Sequence, residues 1–257
     1  MEVEWSRLKA RELQELARRD AIVVVPIGAT EQHGPHLPVM VDARLATEVS
    51  QRAVRIIAKR QPIVLLPTIW CGMSEHHMSL GGTITLDFPT MFAVLRCVVR
   101  SLIRHGFKKI YILNGHGGNT APLDVIVTEL TVEFKIPLAY STYWTVAEKT
   151  IAKLLDRQKA LLHACEAETS MIMALHPELV DTEMLSQVQG VYIPGQNSIE
   201  GVNPGVYRWR QLSSRSPIGV IGDASTASAA KGEKLIEAIA ADLADAIGDP
   251  KLWSAPI

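Results

Sequence analysis

A chain of 257 residues, 47% hydrophobic and 21% charged, has the composition of a globular protein and the length of one large domain or two small ones. Its 26 basic side chains stand against 27 acidic ones, which excludes a basic nucleic-acid footprint and a polyanionic tail. No apolar run reaches the roughly 20 residues that span a bilayer, the N-terminus has no signal-peptide core, and Cys71, Cys97 and Cys165 form no paired motif, so a cytoplasmic chain without disulfides or membrane contact is expected.

In chain order, strands and helices alternate. "AIVVVPIGA" from Ala21 is continuously apolar, the signature of a parallel strand covered on both faces. The polar stretch "TEQHGPHLPVMVD" follows, then a helix over 43–59 with Asp42 as its N-cap. "PIVLLPTIW" from Pro62 is a second strand, running into "SEHHMSLGGT" and a helix over 90–105. "KIYILNG" from Lys109 is a third, followed by "NGHGGN" and a helix over 120–134, and "PLAYSTYW" from Pro137 is a fourth. Helices over 146–162 and 166–175, a Gly/Pro/Ser-rich region over 177–226 and a last helix over 227–247 complete the chain. The alternation predicts an α/β layered fold with a mostly parallel sheet, in one domain spanning 1–257.

In open parallel sheets ligands bind beyond the carboxyl ends of the strands, and this chain concentrates its polar chemistry there. Glu31 and His33 are two apart and point the same way if the segment is extended. Carboxylate and imidazole together suit Zn, Mn or Fe. Asp42 is either a further ligand or only a helix cap, and His36 sits between two loop prolines. "NGHGGN" lacks both the G-x-G-x-x-G and the Walker pattern, so a phosphate loop is the weaker reading. His116 in its centre fits a metal ligand, with the amides of Gly117, Gly118 and Asn119 as oxyanion donors.

In "HACEAETSMIMAL", Glu168 shares a helix face with Met171, Ile172 and Leu175, so its carboxylate needs a partner, a proton or a metal. Glu166 lies on the more polar face, as a supporting or solvated residue. His163 precedes the helix as a candidate acid–base group. Cys165, beside His163 and Glu166, opens two alternatives: a metal-free thiolate hydrolase, or simply a small buried cysteine. A non-catalytic binding protein is a third reading of the same cluster.

Taken together, "PIGATEQHGPHLPVMVD", "NGHGGN" and "HACEAETS", supported by "SEHHMSLGGT" and "GVIGDASTASAAKGEKL", resemble the creatininase (creatinine amidohydrolase) family over most of the chain. The resemblance implies a three-layer α/β/α fold, a homohexamer and two divalent metal ions per chain. It implies hydrolysis of a C–N bond in a small amide, formamide or cyclic amide by a metal-bridging hydroxide. By position, Glu31, Asp42 and His116 match the ligands of one ion, and His33 and Asp42 those of the other, with Asp42 bridging. His163 matches the catalytic histidine, and Trp144 the first aromatic of a substrate clamp. Two departures stand out. Gly118 occupies the place of a glutamate ligand, so Glu168, at the family's helical glutamate position, has to substitute. No Trp precedes His163 in "DRQKALL". The motifs are closer to the subgroup of formamide deformylases and the mycofactocin-precursor peptidase, which points to an amide other than creatinine. Lactone, ester or short-peptide hydrolysis on the same site stays open.

Overall fold

A computed structural model describes residues 2–190 and 206–256; residues 191–205, within the expected loop region, lie outside the described residues. Helix α1 (Ala10–Arg18) precedes β1 (Ile22–Ile27), α2 (Val41–Ile57) and β2 (Ile63–Leu65). Then come α3 (Phe88–Arg104), β3 (Lys109–Asn114), α4 (Thr120–Phe134) and β4 (Leu138–Thr142). The chain continues through α5 (Tyr143–Val146), α6 (Glu148–Leu154), α7 (Glu166–Leu175), α8 (Ala229–Gly248) and α9 (Pro250–Ser254).

The four strands are parallel in the order β2-β1-β3-β4, with Ile22 opposite Ile63 and Lys109, and Asn114 opposite Thr142. Because successive strand residues face opposite ways, β1 feeds two cores. Ile22 and Val24 join one with α2, α7 and α8, while Val23, Val25 and Ile27 join the other with α1, α3 and α4. That is the expected three-layer α/β/α sandwich. From β1 the chain crosses to β2 through α2 on one face, then returns past β1 to β3 through α3 on the opposite face. The reversal puts a topological switch point between β1 and β3, where α/β sheets open a crevice for ligands. No helix among the described residues is long and apolar enough to cross a membrane.

Two expected helix boundaries differ. Asp42 is not the N-cap of α2; the helix begins at Val41 after Met40, and the Asp42 side chain turns to His33 and His116 instead. The helix expected over 146–162 ends at Leu154. The buried Glu166 carboxylate accepts the amides of Asp156 (3.0 Å) and Arg157 (3.0 Å), which holds that segment in a turn. Glu166 is therefore a buried structural anchor, neither solvated nor part of the cavity.

Candidate metal centre

The segment after β1 runs extended, with the Glu31 amide bonded to the Val39 carbonyl (3.0 Å). Residues two apart then share a side, so Glu31 and His33 turn inward while Gln32 bonds Ile218 on the other side. Asp42 arrives from the first turn of α2, His116 from the loop after β3, and His163 and Glu168 from the approach to α7 and its first turn. All six are buried or nearly so. The structure thus gathers the residues that the sequence pattern singled out from five separate segments.

Asp42 stands at the centre of this group. Its Oδ1 faces His33 Nε2 at 3.1 Å and its Oδ2 faces His116 Nδ1 at 2.9 Å. Glu31 Oε1 lies 3.3 Å from His116 Nδ1, and Glu168 Oε1 lies 4.0 Å from His33 Nε2. Four groups of potential ligands have their atoms within 4.8 Å of one another: Glu31–Asp42–His116 and His33–Asp42–Glu168, which share Asp42, and Glu31–His33–His163 and Glu31–His76–His77, which share Glu31. The donor chemistry fits divalent cations. Three carboxylates share a buried site, and Glu31 Oε2 is buried there with no hydrogen-bond partner. Burying such charge without compensation is costly, and cations supply the compensation.

The imidazoles are also aimed. His33 Nδ1 donates to the Glu31 carbonyl (3.0 Å), which leaves Nε2 for the site. His116 Nε2 sits 3.1 Å from the Met73 carbonyl and 3.2 Å from Ser74 Oγ, which leaves Nδ1. A backbone carbonyl that holds one ring nitrogen is the usual way a ligating histidine is oriented. His163 Nε2 donates to the Gln32 carbonyl (2.9 Å), and its Nδ1 points to Glu31 Oε1 at 3.7 Å.

Charge follows the same plan. Burial raises the Glu31 carboxyl, with His116 opposing it. Burial also works against the Asp42 anion, but His33 and His116 hold it well below the carboxylate range. Burial opposes the His33 cation, yet Asp42 and Glu168 lift it to about 10; His116 is raised likewise against burial by Glu31 and Asp42. Glu168 is pushed up to about 8 by burial, partly offset by His33. His163 is held well below its ordinary value, first by burial and then by His33 and His77, so its ring is neutral.

Both ligand imidazoles are thus protonated near pH 7 in the metal-free protein, and an incoming ion has to displace those protons. Metal affinity is expected to rise with pH, and uptake near pH 7 to release about three protons per chain, from His33, His116 and Glu168. Calorimetry in two buffers of different ionisation enthalpy counts them; uptake without proton release would mean that the imidazoles are not ligands.

Several residues fall differently from the sequence reading. Asn119 is no oxyanion donor. It is buried, its amide bonds the His116 carbonyl (3.2 Å), and its side chain ties Gly28, Met73 and Asn114 together. His36 lies outside the cavity, bonded to Thr169 Oγ1 (2.8 Å). Cys165 is enclosed, its thiol pushed up to about 12 by burial and then by Glu168, so it offers no thiolate nucleophile. His77 was missed. It sits in the 3₁₀ turn Glu75–Leu80 with Nε2 3.3 Å from Glu31 Oε1, and with His76 it could complete a further ligand group on Glu31. The paired histidines of "SEHHMSLGGT" at a strand's carboxyl end were the available signal.

Gly118 explains the absent loop ligand. A Cβ there would collide with the Met73 carbonyl and the His116 ring and come within 2.8 Å of His76. Glu168, by contrast, is held in place: its Oε2 accepts the Ala164 amide at 2.6 Å, and Ala164 is held at φ 52°, a left-handed conformation uncommon for alanine. Above the cluster opens a cavity of about 330 Å³, lined among others by Gly117, Gly118, Trp144 and His163.

A buried carboxylate–imidazole cluster under an open cavity, at the carboxyl ends of a parallel sheet, is the kind of site that can hold a catalytic metal ion. The family model for creatinine amidohydrolase matches residues 6–247, and the chain belongs to the creatininase family of amidohydrolases. It is 29% identical to the creatinine amidohydrolase of Pseudomonas putida over 96% of this chain and 94% of the relative. It is 32% identical to the mycofactocin precursor peptide peptidase of Mycobacterium ulcerans over 83% of this chain and 79% of that protein. The fold superposes on a creatininase variant of Zn-Zn type with a TM-score of 0.79 at 25% identity, covering 96% of this chain and 97% of the other.

Proposed function

We propose that the chain, as one domain over 1–257, is a binuclear metal-dependent amidohydrolase that cleaves a C–N bond in a small amide, formamide or cyclic amide. The observation that carries this reading is Asp42, whose two oxygens face two different imidazoles, each backed by a further carboxylate. Glu31, Asp42 and His116 would hold one ion, and His33, Asp42 and Glu168 the other. Bound there, divalent ions such as Zn, Mn or Fe supply Lewis-acid polarisation of a carbonyl and a water acidified toward neutral pH.

The protein's own groups do the rest. His163, neutral and the most accessible of the three imidazoles (side chain 15% exposed), takes on Nδ1 the proton that the attacking water gives up and passes it to the leaving nitrogen. The Gln32 carbonyl on Nε2 keeps the ring from turning away. The amides of Gly117 and Gly118 on the cavity wall donate to the carbonyl oxygen. Trp144 packs against the substrate and helps exclude water. The mycofactocin-peptidase relatives favour a short peptide as the second reading. A cytoplasmic homohexamer belongs to the same proposal.

Metal analysis of the purified chain beside Glu168→Gln tests the centre. About two ions per chain are expected, falling toward one in the variant. Unchanged content in the variant makes Glu168 a buried structural carboxylate, and no ion bound or taken up removes the proposal.

A further inference from the structure

The ligand sets that share Asp42 leave two histidines of the cavity without a role. His76 and His77 sit side by side on the 3₁₀ turn Glu75–Leu80. The turn is pinned by the His77 amide on the Ser74 carbonyl (2.9 Å) and by the Ser74 amide on Thr85 Oγ1 (2.9 Å). Neighbours on an ideal 3₁₀ turn point about 120° apart, yet these two rings meet edge to face with centroids 4.3 Å apart. Both line the cavity together with Glu31, and a nitrogen of each lies within 4.8 Å of the other and of a Glu31 oxygen. The remaining group, Glu31–His33–His163, offers less: His33 already faces Asp42, and the Gln32 carbonyl holds the His163 ring.

The spacing suits an ion better than a hydrogen bond. His77 Nε2 stands 3.3 Å from Glu31 Oε1. That is long for an N–H···O bond, usually about 2.9–3.0 Å. It matches the roughly 3.3–3.6 Å between two ligands of a tetrahedral zinc with bonds of about 2.0–2.2 Å. Glu31 has capacity to spare. Its Oε2 is buried without a partner, so one oxygen can serve each of two ions, as the Asp42 oxygens do. His77 Nδ1 is also buried without a hydrogen bond, so no other contact competes for that ring.

We infer that Glu31, His76 and His77 form a third cation site, beside the proposed two-ion centre and open to the cavity, which takes zinc and similar late transition ions rather than manganese. The inference rests on the proposed centre for its two neighbouring ions. Selectivity follows from the donors. Each set that shares Asp42 has two carboxylates and one imidazole, whereas this one has two imidazoles and one carboxylate, and imidazole favours zinc, copper or nickel where carboxylate suits manganese. Affinity is lower than at the centre. A single carboxylate compensates the charge, His76 is half-buried, and ions already bound repel a further one. The site therefore fills when zinc is supplied in excess and empties on dialysis. A His₂Glu set leaves one position open, as catalytic rather than structural zinc sites do. Here that position faces the cavity, where a donor atom of a bound substrate can complete it.

Equilibrium dialysis of the purified full chain against excess Zn²⁺ or Mn²⁺, with metal content read before and during dialysis, tests this in wild type and in His76→Gln. That variant leaves every ligand of the centre in place. Wild type is expected to take up one zinc ion per chain that His76→Gln does not, and to show no such difference with manganese. No His76-dependent zinc overturns the inference, because any further ion then sits elsewhere. A His76-dependent manganese ion held as tightly overturns the selectivity. The content before dialysis reads the two-ion centre by itself, so a shortfall there counts against the amidohydrolase proposal and not against the third site.

Discussion

An Asp42→Ala variant is expected to bind neither ion and to lose activity by at least about 10³-fold. Each Asp42 oxygen serves a different imidazole, so truncation opens both ligand sets at once, unlike loss of Glu168 or Glu31. The variant also removes the anion that keeps His33 and His116 cationic in the metal-free protein. Asp42 does not cap α2, and His33 and His116, which lose their carboxylate partner, can give up their protons, so the fold is expected to survive. Metal analysis with circular dichroism separates the two effects. A folded variant that keeps one ion at full occupancy would contradict the bridging role.

The second large effect lies away from the cavity. Lys231, at the start of α8, bonds the fully buried Glu166 carboxylate and also Asp156 (2.7 Å). Its side chain is only 13% exposed, so solvent screens this pair far less than a surface one. Lys231→Met leaves Glu166 as a buried charge facing two amides, and a loss of about 3–5 kcal/mol in stability is expected by urea unfolding. Removing both charges, in Lys231→Met with Glu166→Gln, should cost less than the single change, since no ion is then stranded. A loss below about 1 kcal/mol in Lys231→Met would mean that the pair behaves as a solvated surface bridge. Because Glu166 pins the amides of Asp156 and Arg157, the single variant also loosens the segment that leads to His163.

The strands and the site were legible for the same reason. Runs such as "IVVVPI" are buried on both faces, so hydrophobicity alone marks them, and the sheet topology sends their ends to one crevice. Glu168 was legible because an acid on an apolar helix face has few stable explanations. What stayed hidden depends on contacts distant in sequence. The end of α6 at Leu154 is set by Glu166, twelve positions on, and no local propensity encodes it. Asp42 read equally as a cap and as a ligand from its own position, and its facing imidazoles, distant in sequence, rule out the cap. His77 belongs to a short 3₁₀ turn with no periodicity to read. Asn119 was misjudged because a Gly-rich loop suggests free amides, whereas this one is stapled to the strand ends by its two asparagines.

The crowding at Gly118 bears on how a second ion would be held. The backbone that fills the space of a side chain there, at Met73, is the same carbonyl that orients His116. A side chain at position 118 cannot be added without disturbing the carbonyl that orients His116, so on the proposed ligand set no acid from this loop can stand in for Glu168. On the proposed ligand set, retention of the second ion then depends on the integrity of a ten-residue helix rather than on a loop. Fraying of α7 and escape of that ion become one event, and occupancy of the site reports directly on the local stability of the helix.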